Sequence, residues 1–305
     1  MRADTTPLDL IGIRLGTDKS RLRQDYLRHY ERMMAGFRDR PITLLEIGID
    51  QGASLRTWEI YFPQASIVGV DIVPATRRFA RKNVVVEIGS QSDAEFLASL
   101  ARKYAPDIII DDGSHISEHQ IFSFERLFHS LKPGGLYVVE DIQRGPGKEL
   151  AAEYFTALQH KLLLRQAASH DAGATQHFKM ADIAHIDTIP GAVGVWKRVE
   201  DELDGDFEAL EKLANEAEAS YSLFYLAQYI HRNGGPVSHA LTVARRASAA
   251  EPKNPWIYCE IGKFQHAMGE TAEAIKSVKE AVRLANSERS RAIFEEYLAE
   301  LSAGH

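Results

Sequence analysis

The sequence predicts an α/β protein built on a doubly wound sheet of seven strands, followed by an all-helical C-terminal segment. Over residues 42–199, short β-branched runs alternate with amphipathic helical patterns, which is typical of a parallel sheet with right-handed crossovers. Two further strand-like runs flank Pro190 and Gly191 and predict an antiparallel hairpin that closes the sheet. From Phe207 onward the strand pattern stops, and Ala, Glu and Leu recur at helical spacing.

Five strand-like runs carry apolar residues on both faces, as expected for strands that helices cover on both sides. They lie at residues 44–47, 67–70, 84–88, 108–110 and 136–139, and the hairpin strands are expected at 183–189 and 192–199. A long helix is expected over residues 148–168. Ser92 followed by Glu95, and Ser117 followed by Gln120, have the spacing of capping boxes and predict two helix starts.

The composition is that of a globular protein from a reducing compartment. With 305 residues, 45% of them hydrophobic and 26% charged, the chain suits one large domain or two ordinary ones. The single cysteine, Cys259, excludes an internal disulfide and a cysteine-based zinc site. A net charge of -7 gives no general attraction to nucleic acid or to an anionic membrane. We therefore expect a cytoplasmic protein without a nucleic-acid or membrane partner, a secretory signal or a membrane-spanning run.

A change of pattern near residue 200 predicts two domains, over 1–200 and 205–305. Within the first, residues 1–40 are expected to form a helical segment that either closes as a lid or joins the core. The second has a period of 34 residues, the tetratricopeptide period. In it Gly235, Ala240 and Ala247 recur as Gly269, Ala274 and Ala281. Two such repeats make little concave surface, so a structural appendage or homo-oligomer surface is favoured over a groove for a protein partner.

The segment after the first strand has the features of a nucleoside site. Gly48 and Gly52 permit a tight turn, but their spacing is not that of the dinucleotide-binding glycine motif. Glu46, just before the turn, suits a ligand with a cationic end, and Asp71 ends the second strand, where a carboxylate can accept ribose hydroxyls. This order of residues predicts an S-adenosylmethionine site. Ser92 is expected either beside the adenine or as a helix cap alone.

Acidic residues end the fourth and fifth strands. The fourth runs into Asp111 and Asp112, with His115 three residues further on, and the fifth ends in Glu140 and Asp141. Like charges this close are costly without a cation, and Mg²⁺ prefers oxygen ligands. We predict Asp112 and Asp141 as metal ligands, Asp111 as a cofactor contact and His115 as a general base for a hydroxyl. The alternatives are a helix-capping role for His115 and a turn role for Asp141.

Three segments of the chain resemble a known family of enzymes. Over residues 107–143 it closely resembles the macrolide-sugar O-methyltransferases of the mycinamicin and macrocin type, grouped with the cephalosporin-hydroxylase-like family; the segment reads DIIIDDGSHISEHQIFSFERLFHSLKPGGLYVVEDIQ. The resemblance extends through GASLRTWEIYFPQASIVGVDI, residues 52–72, and back to the Gly-Thr-Asp-Lys run at 16–19. It therefore covers roughly residues 16–199.

The resemblance implies a class I, Rossmann-like methyltransferase fold that uses S-adenosylmethionine and Mg²⁺. By it, Asp112 and Asp141 resemble metal ligands and His115 resembles the general base. Glu46, Gly48 and Asp71 resemble cofactor contacts. The chain departs from those enzymes in two respects: it lacks their longer glycine-rich insertion after the first strand, and it continues into helical repeats after residue 199.

The predicted function is O-methylation of a hydroxyl on a sugar, glycoside or natural-product acceptor, dependent on S-adenosylmethionine and Mg²⁺. The alternative is a non-catalytic, methyltransferase-like scaffold whose repeats bind a protein partner. A nucleic-acid methyltransferase is disfavoured, because the fourth strand lacks the Asn/Asp-Pro-Pro-aromatic run that clamps a flipped base. A metal-dependent hydroxylase is also disfavoured, since His119 and His129 do not form an obvious two-histidine, one-carboxylate set.

Overall fold

The computed structural model describes residues 7–142, 150–164, 180–199, 203–216 and 221–303. The chain divides into two compact units, Met1–Val199 and Glu200–His305. Among the described residues, none of the helices combines the length and the hydropathy that crossing a membrane requires.

The first unit is built on a sheet of seven strands in the order β3-β2-β1-β4-β5-β7-β6. The strands are β1 Thr43–Ile47, β2 Ser66–Asp71, β3 Val84–Ile88, β4 Ile108–Asp111, β5 Leu136–Val139, β6 Ile183–Ile189 and β7 Ala192–Lys197. Strands β1 to β5 pair in parallel, while β7 pairs antiparallel with both β5 and β6. This topology confirms the predicted doubly wound α/β fold, because the crossovers place helices on both faces.

Successive residues of the strands pack alternately into two separate hydrophobic cores, one on each face of the sheet. Leu44 and Ile108 pack with helices α1 Pro7–Leu15, α2 Leu27–Met34 and α3 Ala53–Tyr61. Leu45 and Ile109, the next residues along, pack on the other face with α4 Ala94–Lys103, α5 Ser117–Leu127 and α6 Leu150–Leu163. Alternate side chains of a strand point to opposite faces of the sheet, and both faces are buried here. Every position along these strands is therefore apolar, which explains the continuous apolar runs in the sequence.

The N-terminal helices belong to the first core. Leu27, Tyr30 and Met34 of α2 are fully buried, and Tyr26, just before them, is 4% exposed. The rings of Tyr26 and Tyr30 stack with centroids 6.0 Å apart. The apolar stripe of this segment is therefore core packing, which anchors the loop between α1 and α2 at the sheet.

Both predicted capping boxes are wrong. The N-cap of α4 is Asp93, whose carboxylate accepts from the backbone N–H groups of Glu95 and Phe96 at 2.9 and 3.2 Å. The Ser92 N–H instead donates to Ser90 Oγ at 3.2 Å, because a turn precedes the helix. Helix α5 begins at Ser117 itself, with Ile116 at the N-cap position.

Two element boundaries also differ from prediction. Strand β7 ends at Lys197 rather than at residue 199. Helix α6 spans Leu150–Leu163, and the expected ends of this helix at 148 and 168 lie outside the described residues.

The second unit contains six described helices, each packed against its neighbour along the chain. They are α7 Phe207–Glu216, α8 Ser222–Arg232, α9 Val237–Ala250, α10 Pro255–Ala267, α11 Thr271–Leu284 and α12 Glu288–Ala303. Helices α9 and α11 begin 34 residues apart and also end 34 residues apart. The recurring small residues are buried at helix contacts, as Ala240 and its counterpart Ala274 show with no exposure.

Gly262 allows α10 and α11 to approach closely, since a Cβ there would lie 2.5 Å from Val278 Cγ2 and 3.2 Å from the Ala274 carbonyl oxygen. We predict that Gly262→Leu forces these helices apart and destabilises the second unit by about 1–3 kcal/mol. Amide hydrogen exchange, measured separately for each proteolytic peptide, should become faster in α10 and α11. Lys263→Leu, at the exposed next position, should change exchange little; equal effects of the two substitutions would contradict the packing argument.

Candidate active site

A cavity of about 660 Å³ opens at the carboxyl ends of the parallel strands. Its lining comes from the loops after β1, β2, β3 and β4, from Asp141 after β5, and from the loop after α1. The lining segments include residues 16–19, 47–51, 70–73, 89–91 and 112–115. Both the position and the size are those expected for a small-molecule site in an open α/β sheet.

The turn after β1 requires a glycine at residue 48. Gly48 has φ +93°, and a Cβ on it would lie 2.0 Å from the carbonyl oxygen of Asp112. Its N–H donates to the Val70 carbonyl at 2.8 Å, and the Asp112 N–H donates to the Ile47 carbonyl at 2.9 Å. Backbone contacts at Ile47 and Gly48 therefore hold the turn after β1 against strand β2 and against the loop after β4.

Asp71 lines the cavity and organises the loop after β1. One carboxylate oxygen accepts from the N–H groups of Ile49 and Asp50 at 2.9 and 3.4 Å, and the other accepts from the Val73 N–H at 2.8 Å. A carboxylate offers about four lone-pair sites, so acceptor capacity remains for a ligand hydroxyl. Asp71 thus lies where the sequence predicts a ribose contact.

Glu46 lies beneath the cavity and does not line it. Its side chain is fully buried and accepts from Ser54 Oγ, a lining residue, at 2.8 Å. Burial raises the pKa of Glu46 to about 7, against the opposing charge of Lys19. Glu46 thus contacts the cavity lining at Ser54, and direct cofactor contact by Glu46 stays a prediction.

Asp111 is likewise buried under the site. It accepts from Gln91 Nε2 at 3.1 Å, from the Gly113 N–H at 3.3 Å and from Ser123 Oγ. Burial raises the pKa of Asp111 to about 6. The same Gln91 accepts from the Ser114 N–H at 2.6 Å, so Asp111 holds the side chain that ties the loops after β3 and β4 together.

The loop after β3 reaches the cavity through Gly89, Ser90 and Gln91, and Ser92 is not among the lining residues. The adenine contact of Ser92 stays a prediction, and the sequence analysis gives its neighbour Gln91 no role of its own. The local signal for Gln91 is weak, because Gly89 and Ser90 separate it from the end of β3 at Ile88.

The structure brings Asp112, His115 and Asp141 together. One potential ligand atom from each lies within 4.8 Å of the others, and His115 Nε2 is 3.8 Å from Asp141 Oδ2. All three line the cavity. This is the arrangement that the sequence predicts from the carboxyl ends of neighbouring strands β4 and β5.

Two of these three residues have left-handed backbone conformations. His115 has φ +54° and Asp141 has φ +50°, in a region that residues other than glycine rarely adopt. Each costs about 1–3 kcal/mol and persists only where the surroundings fix it, which is common at functional sites. His115 does not occupy the N-cap position of α5, which is Ile116, so the capping alternative is not supported.

Lys19 supplies a buried positive charge to the acidic cluster. Its ammonium group is 1% exposed, bonds to Asp112 and donates to Glu140 Oε2 at 2.7 Å. Burial lowers the pKa of Lys19, but the charges of Glu140, Asp112 and Glu46 outweigh it and hold this pKa well above its usual value. Burial also raises the pKa of Glu140, which Lys19 opposes.

The sequence analysis names Glu140 at the end of the fifth strand without giving it a role, and includes Lys19 only in the Gly-Thr-Asp-Lys run that carries the family resemblance. It misses Gln24 and Tyr26, both of which donate to the Asp141 carboxylate. The charge balance was the available signal for Lys19, since buried carboxylates require a cation. Nothing in the local sequence indicates the contacts of Gln24 and Tyr26, because Asp141 is more than a hundred residues away.

Comparison with known proteins identifies the type of fold. No protein-family profile matches the chain. In fold, it is similar to the MycE methyltransferase of the mycinamycin biosynthetic pathway, solved in complex with Mg, SAH and mycinamycin VI, with a TM-score of 0.55 and 29% identity over 65% of this chain and 56% of that one. The Rossmann-like methyltransferase fold is therefore confirmed.

In sequence, the chain is 44% identical over 149 residues to the 8-demethyl-8-alpha-L-rhamnosyl tetracenomycin-C 2'-O-methyltransferase of Streptomyces olivaceus, covering 46% of the chain and 39% of the relative. It is 43% identical over 122 residues to the mycinamicin VI 2''-O-methyltransferase of Micromonospora griseorubida, covering 37% and 30%. The predicted resemblance to macrolide-sugar O-methyltransferases is thus confirmed. The chain spans less than half the length of these curated relatives.

We predict that Lys19→Met lowers the free energy of unfolding of the first unit by about 3–5 kcal/mol at pH 8, because it leaves buried carboxylates without their cation. Urea unfolding followed by tryptophan fluorescence measures this. A Trp256→Phe background restricts the signal to Trp58 and Trp196 of the first unit.

The matched control is Lys132→Met. Lys132 pairs with Asp107 at 2.7 Å, but its side chain is 43% exposed, so the loss should stay below about 1 kcal/mol. Equal losses from the two lysine substitutions would show that the buried charge of Lys19 is not structurally required.

Proposed function

We propose that this chain is an S-adenosylmethionine- and Mg²⁺-dependent O-methyltransferase that acts on a hydroxyl of a sugar, glycoside or natural-product acceptor. The observation that carries the proposal is the convergence of Asp112, His115 and Asp141 at one edge of a cavity bounded by the glycine turn after β1. The relatives named above support it, since both are O-methyltransferases by name and the similar structure holds Mg and SAH.

The residues around the β1 turn fit S-adenosylmethionine. Gly48 lines the cavity with backbone atoms alone, so the cofactor can approach the main chain there, and Asp71 offers oxygens to ribose hydroxyls. Ser54 and its buried partner Glu46 place polar groups nearby. When bound, the cofactor supplies an electrophilic sulfonium methyl group. The task of the chain is to align that group with the attacking oxygen.

The acidic residues fit a hard divalent cation. The buried ammonium group of Lys19 faces three carboxylates, those of Glu46, Asp112 and Glu140, and Asp141 adds a fourth beside Asp112, so negative charge is left over. Within the described residues, Glu140 Oε1 is buried without a hydrogen-bond partner. Asp112 and Asp141, which line the cavity, would hold the ion, as oxygen ligands suit Mg²⁺. When bound, Mg²⁺ makes a coordinated hydroxyl more acidic.

His115 is the base in this proposal. His115 lines the cavity and its Nε2 lies 3.8 Å from Asp141 Oδ2, so the imidazole can take the acceptor hydroxyl proton as the oxygen–carbon bond forms. The proton moves to Nε2, where the carboxylate of Asp141 stabilises the resulting imidazolium. A bound S-adenosylmethionine would supply the methyl group, and the electron pair of the sulfur–carbon bond that breaks would stay with its sulfur.

The scaffold alternative explains less of the structure. A scaffold needs no cavity of this size and no left-handed histidine and aspartate at its edge. A homo-oligomer or a protein partner bound through helices α7 to α12 remains a prediction of the repeat pattern.

The proposal is tested with radiolabelled S-adenosylmethionine and a panel of glycosides that carry free sugar hydroxyls, with Mg²⁺ or with a chelator. We expect methyl transfer that requires Mg²⁺, and S-adenosylmethionine binding detectable by calorimetry. A protein that binds no S-adenosylmethionine would instead support the scaffold alternative.

We predict that His115→Ala lowers kcat by about 10²–10⁴-fold, the usual contribution of a positioned general base. The Kd for S-adenosylmethionine and the KM for the acceptor should change much less, because His115 acts on the proton in transit. Steady-state kinetics and calorimetry measure these quantities.

His129→Ala is the control, since His129 is an exposed histidine beyond the end of α5 and outside the cavity lining. Unchanged kcat in His115→Ala would refute the base assignment.

A further inference from the structure

We propose that Gln24 and Tyr26 are positioning residues that hold the Asp141 carboxylate in the orientation in which it binds the metal. Both lie in the segment between α1 and α2, which thereby becomes part of the metal site. The inference rests on the Mg²⁺ site proposed above, and it concerns residues that do not themselves touch the ion or the substrate.

Three hydrogen bonds from this segment converge on one carboxylate. Gln24 Nε2 lies 2.9 Å from each oxygen of Asp141, and the Tyr26 hydroxyl donates to Oδ1 at 2.8 Å. An amide and a phenol are neutral donors. They orient the carboxylate and leave its negative charge available to a cation, whereas the ammonium group of Lys19 compensates the charge of Asp112.

The left-handed backbone of Asp141, with φ +50°, is held by a main-chain contact of its own. The following residue, Ile142, donates its N–H to the Gly191 carbonyl at 2.9 Å, and the Tyr26 hydroxyl lies 3.3 Å from the same oxygen. Tyr26 therefore connects the Asp141 side chain to the hairpin turn that holds the backbone after it. These contacts fix the residue on both its side-chain and main-chain sides.

The segment that carries Gln24 and Tyr26 is itself held by contacts with α2. Asp25, between the two donors, also has a left-handed conformation, with φ +61°. Its own carboxylate binds Arg28 of α2. Tyr26 is 4% exposed and stacks on Tyr30, so its hydroxyl has little freedom to turn away.

Removing these two donors should weaken the binding of Mg²⁺ in particular. Groups that orient a metal ligand change metal affinity or activity by about 10–100-fold when they are removed. Removing the hydroxyl of Tyr26 or the amide of Gln24 leaves the Asp141 carboxylate present but free to rotate. The loss should therefore appear in the affinity for Mg²⁺ and not in the affinity for S-adenosylmethionine.

The test uses the full chain with Tyr26→Phe, Gln24→Leu and the double substitution. Titration with Mg²⁺ alone by calorimetry should show a raised Kd in each single variant and an increase of about 10–100-fold in the double variant. The Tm without metal and the Kd for S-adenosylmethionine should stay close to those of the unaltered protein. Methyl transfer by the double variant should recover at saturating Mg²⁺, because the ligand itself is retained.

Tyr61→Phe is the matched control. It removes the hydroxyl of a fully buried tyrosine that belongs to the same core as Tyr26 but lies outside the cavity lining, and it should leave Mg²⁺ affinity unchanged. An unchanged Mg²⁺ Kd in the double variant overturns the positioning role while the proposed function stands. A Kd that rises only in parallel with a fall in Tm also overturns it, in favour of a merely structural role.

The inference and the proposed function fail in different ways. Weakened Mg²⁺ binding in the variants, with no methyl transfer by any form of the protein, supports the positioning role and rejects the reaction. Absence of Mg²⁺ binding by the unaltered protein overturns the positioning role, whether or not methyl transfer occurs.

Discussion

The buried ammonium group of Lys19 is the charge on which the ligand edge of this sheet depends. Strands β1, β4 and β5 each deliver a carboxylate to that edge, from Glu46, Asp112 and Glu140, and Lys19 lies among them with 1% exposure. Without a cation, three carboxylates this close could not all be ionised in a buried setting. The loop after α1 therefore has to enter the sheet edge, and the buried residues of α2 keep it there.

A second constraint joins the two halves of the site. The turn at Gly48 lies against the backbone of Asp112, where no Cβ fits, so the loop proposed for the cofactor and the loop proposed for the metal share one contact. Gln91 adds a side-chain link between the loops after β3 and β4. Reaction geometry in such a site depends on loops moving as one body, since alignment within about 1 Å governs transfer rates.

The strands of the sheet could be predicted from the sequence because of the way they are buried. Strands β1 to β5 are apolar on both faces because helices cover both, and hairpin β6–β7 surrounds a Pro-Gly turn, so local sequence indicates them. The helix caps were not predictable by the same means. Ser92 and Asp93 are adjacent potential caps, and the turn at Ser90 decides between them by bonding the Ser92 N–H.

The sequence by itself determined the sheet, the two-unit division of the chain's patterns, the 34-residue spacing of α9 and α11, and the candidates Asp112, His115 and Asp141, because strand ends in a parallel sheet share one edge. Only the tertiary structure decided that Glu46 and Asp111 lie beneath the cavity and that Lys19, Gln24 and Tyr26 contact the acidic residues. Those contacts join positions about a hundred residues apart, and neither periodicity nor local motifs encode which distant side chain meets a given carboxylate.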